Sequence, residues 1–136
     1  MKRDFALGTL GYSVVTLGIA APWHFVLFKE LYHSLGIYNR AEPIIPLGIT
    51  SMLIQGAIMA WLYPRACPHE RSLRSAMTFC WAMGLFLFSV STLANAAKIN
   101  VSPMPSWFAV QAAFHFIQFT FVGFVFARIY RDSHGL

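Results

Sequence analysis

Four long apolar stretches, each separated from the next by charged or proline-bearing residues, dominate the pattern along this 136-residue chain. A helix needs ~20 residues to cross a ~30 Å hydrocarbon core, and each stretch approaches or exceeds that length. The hydropathy minima place the spans at Phe5 to Phe28, Ile44 to Tyr63, Ala76 to Ala97 and Trp107 to Ala127. Connections this short join neighbouring antiparallel helices. The expected fold is therefore all-α, a transmembrane four-helix up-down-up-down bundle that makes residues 1–136 one domain. Beyond the first span, Phe28, Leu31, Tyr32 and Leu35 keep helical spacing and Gly36 offers a left-handed cap, so the first helix is expected to overshoot the membrane. Pro43 and Pro46 suit the opening of the second helix, Pro64 is expected to stop it, and Pro103 and Pro105 to fix the last turn. Lys2 and Arg3 ahead of an apolar run ending in Gly18, Ala20 and Ala21 look like a secretory leader. The run is longer than a leader's core, and it is read as a retained span.

Composition agrees with this pattern and charge adds an orientation. With 57% hydrophobic and 11% charged residues, the chain has too little polar surface to cover itself in water. Of its ten Lys and Arg residues, Lys2, Arg3, Arg65, Arg71, Arg74, Arg128 and Arg131 fall on the side shared by both termini and the middle loop. Lys29, Arg40 and Lys98 fall opposite. Positive charge resists translocation, so the N and C termini are expected in the cytoplasm. Trp61, Tyr63 and Tyr130 at the inner ends, with Trp23 and Trp107 at the outer ends, stand where amphipathic rings anchor in headgroups. The net charge of +5 flanks spans rather than lining a soluble face, which excludes nucleic acid and leaves anionic lipid headgroups at the cytoplasmic face as the basic partner. Cys67 and Cys80 map to that reducing side, and no disulfide is expected. Cys67 and His69 lack the two further ligands of a zinc site, so no metal is assigned.

Polar side chains inside the membrane are the candidate chemistry, because each must find a partner or a use. At ~1.5 Å per residue, Gln55 and Gln118 both lie ~16 Å below the outer end, close enough in depth to bond. By the same measure His115 lies ~12 Å deep, level with Ser89 and Ser91, while His24, Asn95 and Gln111 lie ~5 or 6 Å deep. Gln111, His115 and Gln118 share one helix face. This set admits an interhelical hydrogen-bond ladder. The set is read first as that ladder, and as an alternative it admits an outward-facing ligand pocket with Lys98 and Asn100 at its mouth and His115 as its floor. Haem ligation by His24 and His115 is a third use of the set, opposed by their unequal depths. Gly56 with Ala60, and Gly11 with Gly18, provide small-residue seams within the bundle or between copies.

Absences narrow the choice. No Asp or Glu falls within a span, which disfavours ion-coupled transport, and neither a nucleophile-base-orienter set nor a glycine-rich phosphate loop occurs. No catalytic residue is assigned. Trp23, Phe28, Leu35 and Gly36, with Ala113, Phe114, His115, Phe116, Gly123 and Ala127 near the end, resemble a widespread bacterial family of small four-helix membrane proteins of unknown function. The resemblance implies a four-helix fold in the bacterial inner membrane and carries no chemistry. The chain has His24, Phe25 and Val26 where that family places an aromatic-glycine-proline stretch.

Two functions stand side by side. One is a non-catalytic membrane protein, a homo-oligomer or an accessory subunit of a larger complex, whose aromatic surface packs on partner helices; Phe114, Phe116, Phe119, Phe121, Phe124 and Phe126 cover more than one face of the fourth helix. The other binds haem, quinone or a small amphiphile through His24, Gln55, Asn95, Lys98, Gln111, His115 and Gln118. No cofactor is assigned outright.

Overall fold

Helix α1 (Lys2–Pro22) runs through a π-helical turn (Trp23–Leu27) towards the short α2 (Lys29–Ser34), and α3 covers Ile45–Ala66. Helix α4 (Leu73–Phe88) passes through a second π turn (Ser89–Leu93) into α5 (Ala94–Ala96), and α6 covers Met104–Ile129. The structure is a computed structural model that describes residues 2–38, 40–69 and 71–131, and all regular elements among those residues are helical. Four stretches, Lys2–Leu27, Ile45–Ala66, Leu73–Ala96 and Met104–Ile129, are long and apolar enough to cross a membrane, as an integral membrane protein requires.

Local chemistry explains the boundaries. Pro22 has no amide hydrogen, and the regular ladder gives way immediately after it, where the Phe28 amide reaches five residues back to the Trp23 carbonyl at 3.0 Å. Helix α2 ends in a Schellman motif: Ile37 N–H bonds Tyr32 O, Gly36 N–H bonds His33 O, and Gly36 takes φ +77°. Pro46 sits in the first turn of α3, and Ser72 caps α4 by accepting from the Ser75 amide at 3.2 Å. Pro64 does not stop α3, which continues to Ala66. A proline there deprives the Ala60 carbonyl, four residues back, of its amide donor, and the Tyr130 hydroxyl donates to that carbonyl instead at 3.0 Å.

Side by side, the helices follow the order α3, α1, α6, α4. Their closest approaches are made over glycine. A Cβ on Gly56 would lie 2.8 Å from the Thr9 carbonyl, one on Gly84 2.8 Å from the Phe119 ring, and one on Gly123 2.5 Å from the Met77 sulfur. The Gly56 and Ala60 pair is thus an intramolecular seam against α1, and Gly11 packs on α6 through Val125. Gly18 meets nothing. Between α3 and α4 the contacts gather near the loop that joins them, where Tyr63 Oη lies 3.3 Å from Ser75 Oγ and the Tyr63 and Phe79 rings are 5.2 Å apart. Further along, the two helices leave that side of the molecule open.

Two buried clusters result. One, at the basic end, gathers Tyr12, Met59, Tyr63, Cys80, Phe119, Val122, Phe126 and Tyr130; the other, at the opposite end, gathers Tyr32, Leu35, Ile37, Val101, Trp107 and Val110. Several aromatic rings expected in the headgroup belts belong to these clusters instead: Tyr63, Tyr130 and Trp107 are buried and Trp23 is half-buried, while Trp61 stays exposed under the Arg65 guanidinium. Each inward ring has a polar partner for its tip, which is what lets an amphipathic ring leave the interface.

Candidate functional site

The polar candidates divide into a central ladder and a cluster at the end opposite the basic rim. In the ladder, Gln118 Nε2 donates to Thr16 Oγ1 at 2.9 Å and to Tyr12 Oη at 3.4 Å. Tyr12 Oη donates to Gln55 Oε1 at 2.7 Å, and Gln55 Nε2 donates to Ser51 Oγ at 3.0 Å. The two glutamines therefore meet through the tyrosine rather than directly. This places α1, α3 and α6 on one chain of aligned donors, each bond polarising the next.

The cluster is built by the two π turns. The first carries Trp23 and His24, the second Ser91 and Thr92, and both turn these residues towards the α6 face that holds Gln111 and His115. His115 Nδ1 lies 2.7 Å from the Gln111 carbonyl; a carbonyl only accepts, so this nitrogen carries the ring proton. In the neutral ring Nε2 is then an acceptor, and the Ser91 hydroxyl at 3.3 Å supplies the donor. In the second π turn two carbonyls take side-chain donors: Trp107 Nε1 bonds Thr92 O at 3.3 Å and Asn95 Nδ2 bonds Ser91 O at 2.8 Å. Turns of this kind interrupt α-helices frequently at functional sites.

Tyr32 is the hub. Its hydroxyl accepts from Trp23 Nε1 at 3.2 Å and from Gln111 Nε2 at 3.4 Å, which uses both lone pairs and leaves its own proton to give. Burial raises its phenol above the ordinary value, so that proton is retained at neutral pH. Gln111 Nε2 also donates to Tyr38 Oη at 3.3 Å; Tyr38, in the left-handed region at φ 54°, is exposed and forms the surface of the cluster. His24 packs between Phe114, Tyr32 and Tyr38 with ring centroids at 4.7, 5.0 and 5.5 Å, and its Nδ1 is buried with no hydrogen-bond partner.

Of the residues singled out by sequence, His24, Gln111 and His115 come together, and Gln55 and Gln118 join through Tyr12. Asn95, Lys98 and Asn100 are exposed, with Asn95 folded back on its own helix and the Asn100 carbonyl beside Gly36. The Phe114 ring packs on both histidines, its centroid 4.7 Å from that of His24 and 5.3 Å from that of His115. Among the described residues no three His, Cys, Asp or Glu side chains converge on a metal-sized point. Sequence reasoning missed Tyr12, Thr16, Tyr32 and Tyr38 as hydrogen-bonding groups. Only the i, i+4 spacing of Tyr12 and Thr16 within an apolar span signals an inward polar stripe. No protein-family model, curated protein or solved structure matches the chain.

Proposed function

We propose that this chain is a non-catalytic subunit of the bacterial inner membrane that presents the open flank of α3 to partner helices, in a homo-oligomer or as an accessory subunit of a larger complex. In this reading it crosses the membrane up-down-up-down with both termini cytoplasmic, where its basic rim meets anionic headgroups. The opposed numbering along each seam supports that course: Gly8 meets Ala60 where Tyr12 meets Gln55, and Met77 meets Gly123 where Ser91 meets His115. The excess of Lys and Arg at one end supports the orientation.

One observation carries the proposal. From Ile45 to Ile54 every residue of α3 except Met52 is exposed, and along this stretch a groove of about 460 Å³ is lined by Leu47, Thr50, Ser51, Ile54 and Gln55. Gly48 beside it would carry a Cβ with nothing within 4 Å. Gly48, Thr50 and Ser51 on one flank are the small residues over which membrane helices approach one another closely. The buried amides and His115, by contrast, already have protein partners, so the ladder accounts for them as packing. A second reading, a site for haem, quinone or an amphiphile, rests on the orphaned Nδ1 of His24 beside the unspent Tyr32 proton.

One preparation tests both. Leu47→Cys and Ile54→Cys, in a Cys67→Ser, Cys80→Ala background, are oxidised in native membranes and the protein is then purified in mild detergent. Cross-linking at both positions, to a second copy or to one other polypeptide, with Val14→Cys on α1 left monomeric, is expected. A protein that never cross-links and runs as a monomer overturns the first reading. A visible absorption band or co-purifying small molecule lost on His24→Ala establishes the second.

A further inference from the structure

The open side between α3 and α4 holds a different groove at the basic end. It is an open groove of about 410 Å³, lined by Ala66 and Cys67 at the end of α3 and by Arg74, Ser75, Thr78, Phe79 and Ala82 on α4. That size falls within the ~300–1,000 Å³ of small-ligand sites. Arg74, Thr78 and Ala82 follow one another at i, i+4 and i+8, so their side chains descend ~12 Å along one face of α4. The wall changes with depth from guanidinium to hydroxyl to methyl, starting at the first turn of a helix long and apolar enough to span the bilayer.

Arg74 is placed against local electrostatics. It occupies the first turn of α4, where the helix dipole is positive, and no acidic residue shares that turn. Its guanidinium has no hydrogen-bond or ion-pair partner among the described residues. Arg65 shows the contrast at the same end, since it is held on its own helix by the Trp61 carbonyl at 2.6 Å and lies 4.3 Å over the Trp61 ring. The Ser75 hydroxyl is engaged with Ser72 O at 2.9 Å, which leaves Arg74 and Thr78 as the donors facing the groove.

We propose that this groove binds one anionic phospholipid, its headgroup phosphate on the Arg74 guanidinium and Thr78 hydroxyl and its first acyl carbons along Phe79 and Ala82. Charge complementarity selects the phosphate, and the polar-to-apolar descent from the interface matches a lipid in its bilayer orientation rather than a soluble anion. The leaflet, and only the leaflet, rests on reading this end as the cytoplasmic rim.

Native mass spectrometry of the full chain in detergent, titrated with phosphatidylglycerol or phosphatidylcholine, tests the site. One phosphatidylglycerol is expected to bind about fivefold to tenfold tighter than phosphatidylcholine. Arg74→Gln should remove that preference and Arg128→Gln, exposed at the same end, should keep it. Thr78→Trp, which fills the groove without changing charge, should abolish the bound lipid while circular dichroism reports an unchanged helix content. Equal binding of the two lipids, or a preference that survives Arg74→Gln or Thr78→Trp, overturns the proposal; release of lipid by inorganic phosphate at equimolar concentration assigns the site to a soluble anion and overturns it too. Labelling of Cys67 by a membrane-impermeant maleimide in sealed right-side-out vesicles checks the leaflet separately. Modification from outside would refute the orientation and leave the lipid site standing.

Discussion

The two ends of this molecule hold together by different physics. At the basic end helices approach over Gly8, Gly56, Gly84 and Gly123 until a single added methyl has no room, and the cluster between them is filled by Tyr12, Tyr63, Phe119 and Phe126. At the opposite end two π turns break the regular ladder, and indoles, phenols, an amide and an imidazole bond across the gaps that result. Close packing is what drives helix association where lipid is as apolar as the side chains, so the glycine end carries stability. The π-turn end carries polar groups on an interrupted ladder, an arrangement frequent at functional sites. The difference also locates the openings: α3 is gripped where it has glycine and alanine against α1, and free where it has Leu47, Ser51 and Ile54.

The sharpest way to break the comparison is at Gly56. A valine there would drive its Cβ into the Thr9 backbone oxygen and the Tyr12 ring, neither of which has space to retreat. Overpacking of this kind costs about 3 kcal/mol, the upper part of its usual range. Gly18→Ala, whose Cβ meets nothing within 4 Å, should leave stability unchanged or raise it by less than ~1 kcal/mol through helix propensity. Denaturant-dependent loss of ellipticity in mixed micelles reads both variants. Equal losses would mean that the glycine seams are incidental.

At the joint between the ends, Gln118→Leu removes the donors to Thr16 and Tyr12 and keeps the volume roughly constant. Two buried hydroxyls lose their partner, at a cost of ~1 to 2 kcal/mol in the same assay. Tyr12 still has Gln55 to donate to, which keeps the loss below that at Gly56. A loss equal to that of Gly56→Val would place the ladder, not the glycines, at the centre of stability.

These features differ in how far the sequence discloses them. The spans are legible because apolar runs of this length have few other uses, and Gln111, His115 and Gln118 are legible as one face because their spacing is helical. The level of Ser91 with His115 follows from rise per residue alone. The π turns are not legible: a five-residue bond pattern leaves no compositional trace, yet it decides that His24 and Ser91 point at α6. Tyr12 escapes notice because a tyrosine inside a span counts as apolar surface until its hydroxyl is placed between two glutamines. The opening between α3 and α4 escapes for a more general reason. Hydropathy scores a residue's preference for leaving water and is indifferent to whether lipid, the next helix or a partner receives it, so Leu47 and Met59 on the same helix read alike.

The smallest effect sharpens the comparison most, because it concerns a hydrogen bond inside the glycine end. Pro64 cannot donate to the Ala60 carbonyl, and Tyr130 does so from α6. Tyr130→Phe removes that donor and leaves a buried carbonyl unpaired, a loss of about 1 kcal/mol. If the tyrosine acts as a substitute for the missing amide, the loss should depend on the proline. Pro64→Ala restores an intrahelical donor to Ala60, so Tyr130→Phe should cost less than half as much in that background, and the double mutant should lose less than the sum of the two single losses. Equal costs in both backgrounds would show that Tyr130 contributes through its ring against Tyr63 and Phe126, at 5.2 and 5.5 Å, and that the basic end is held by packing alone.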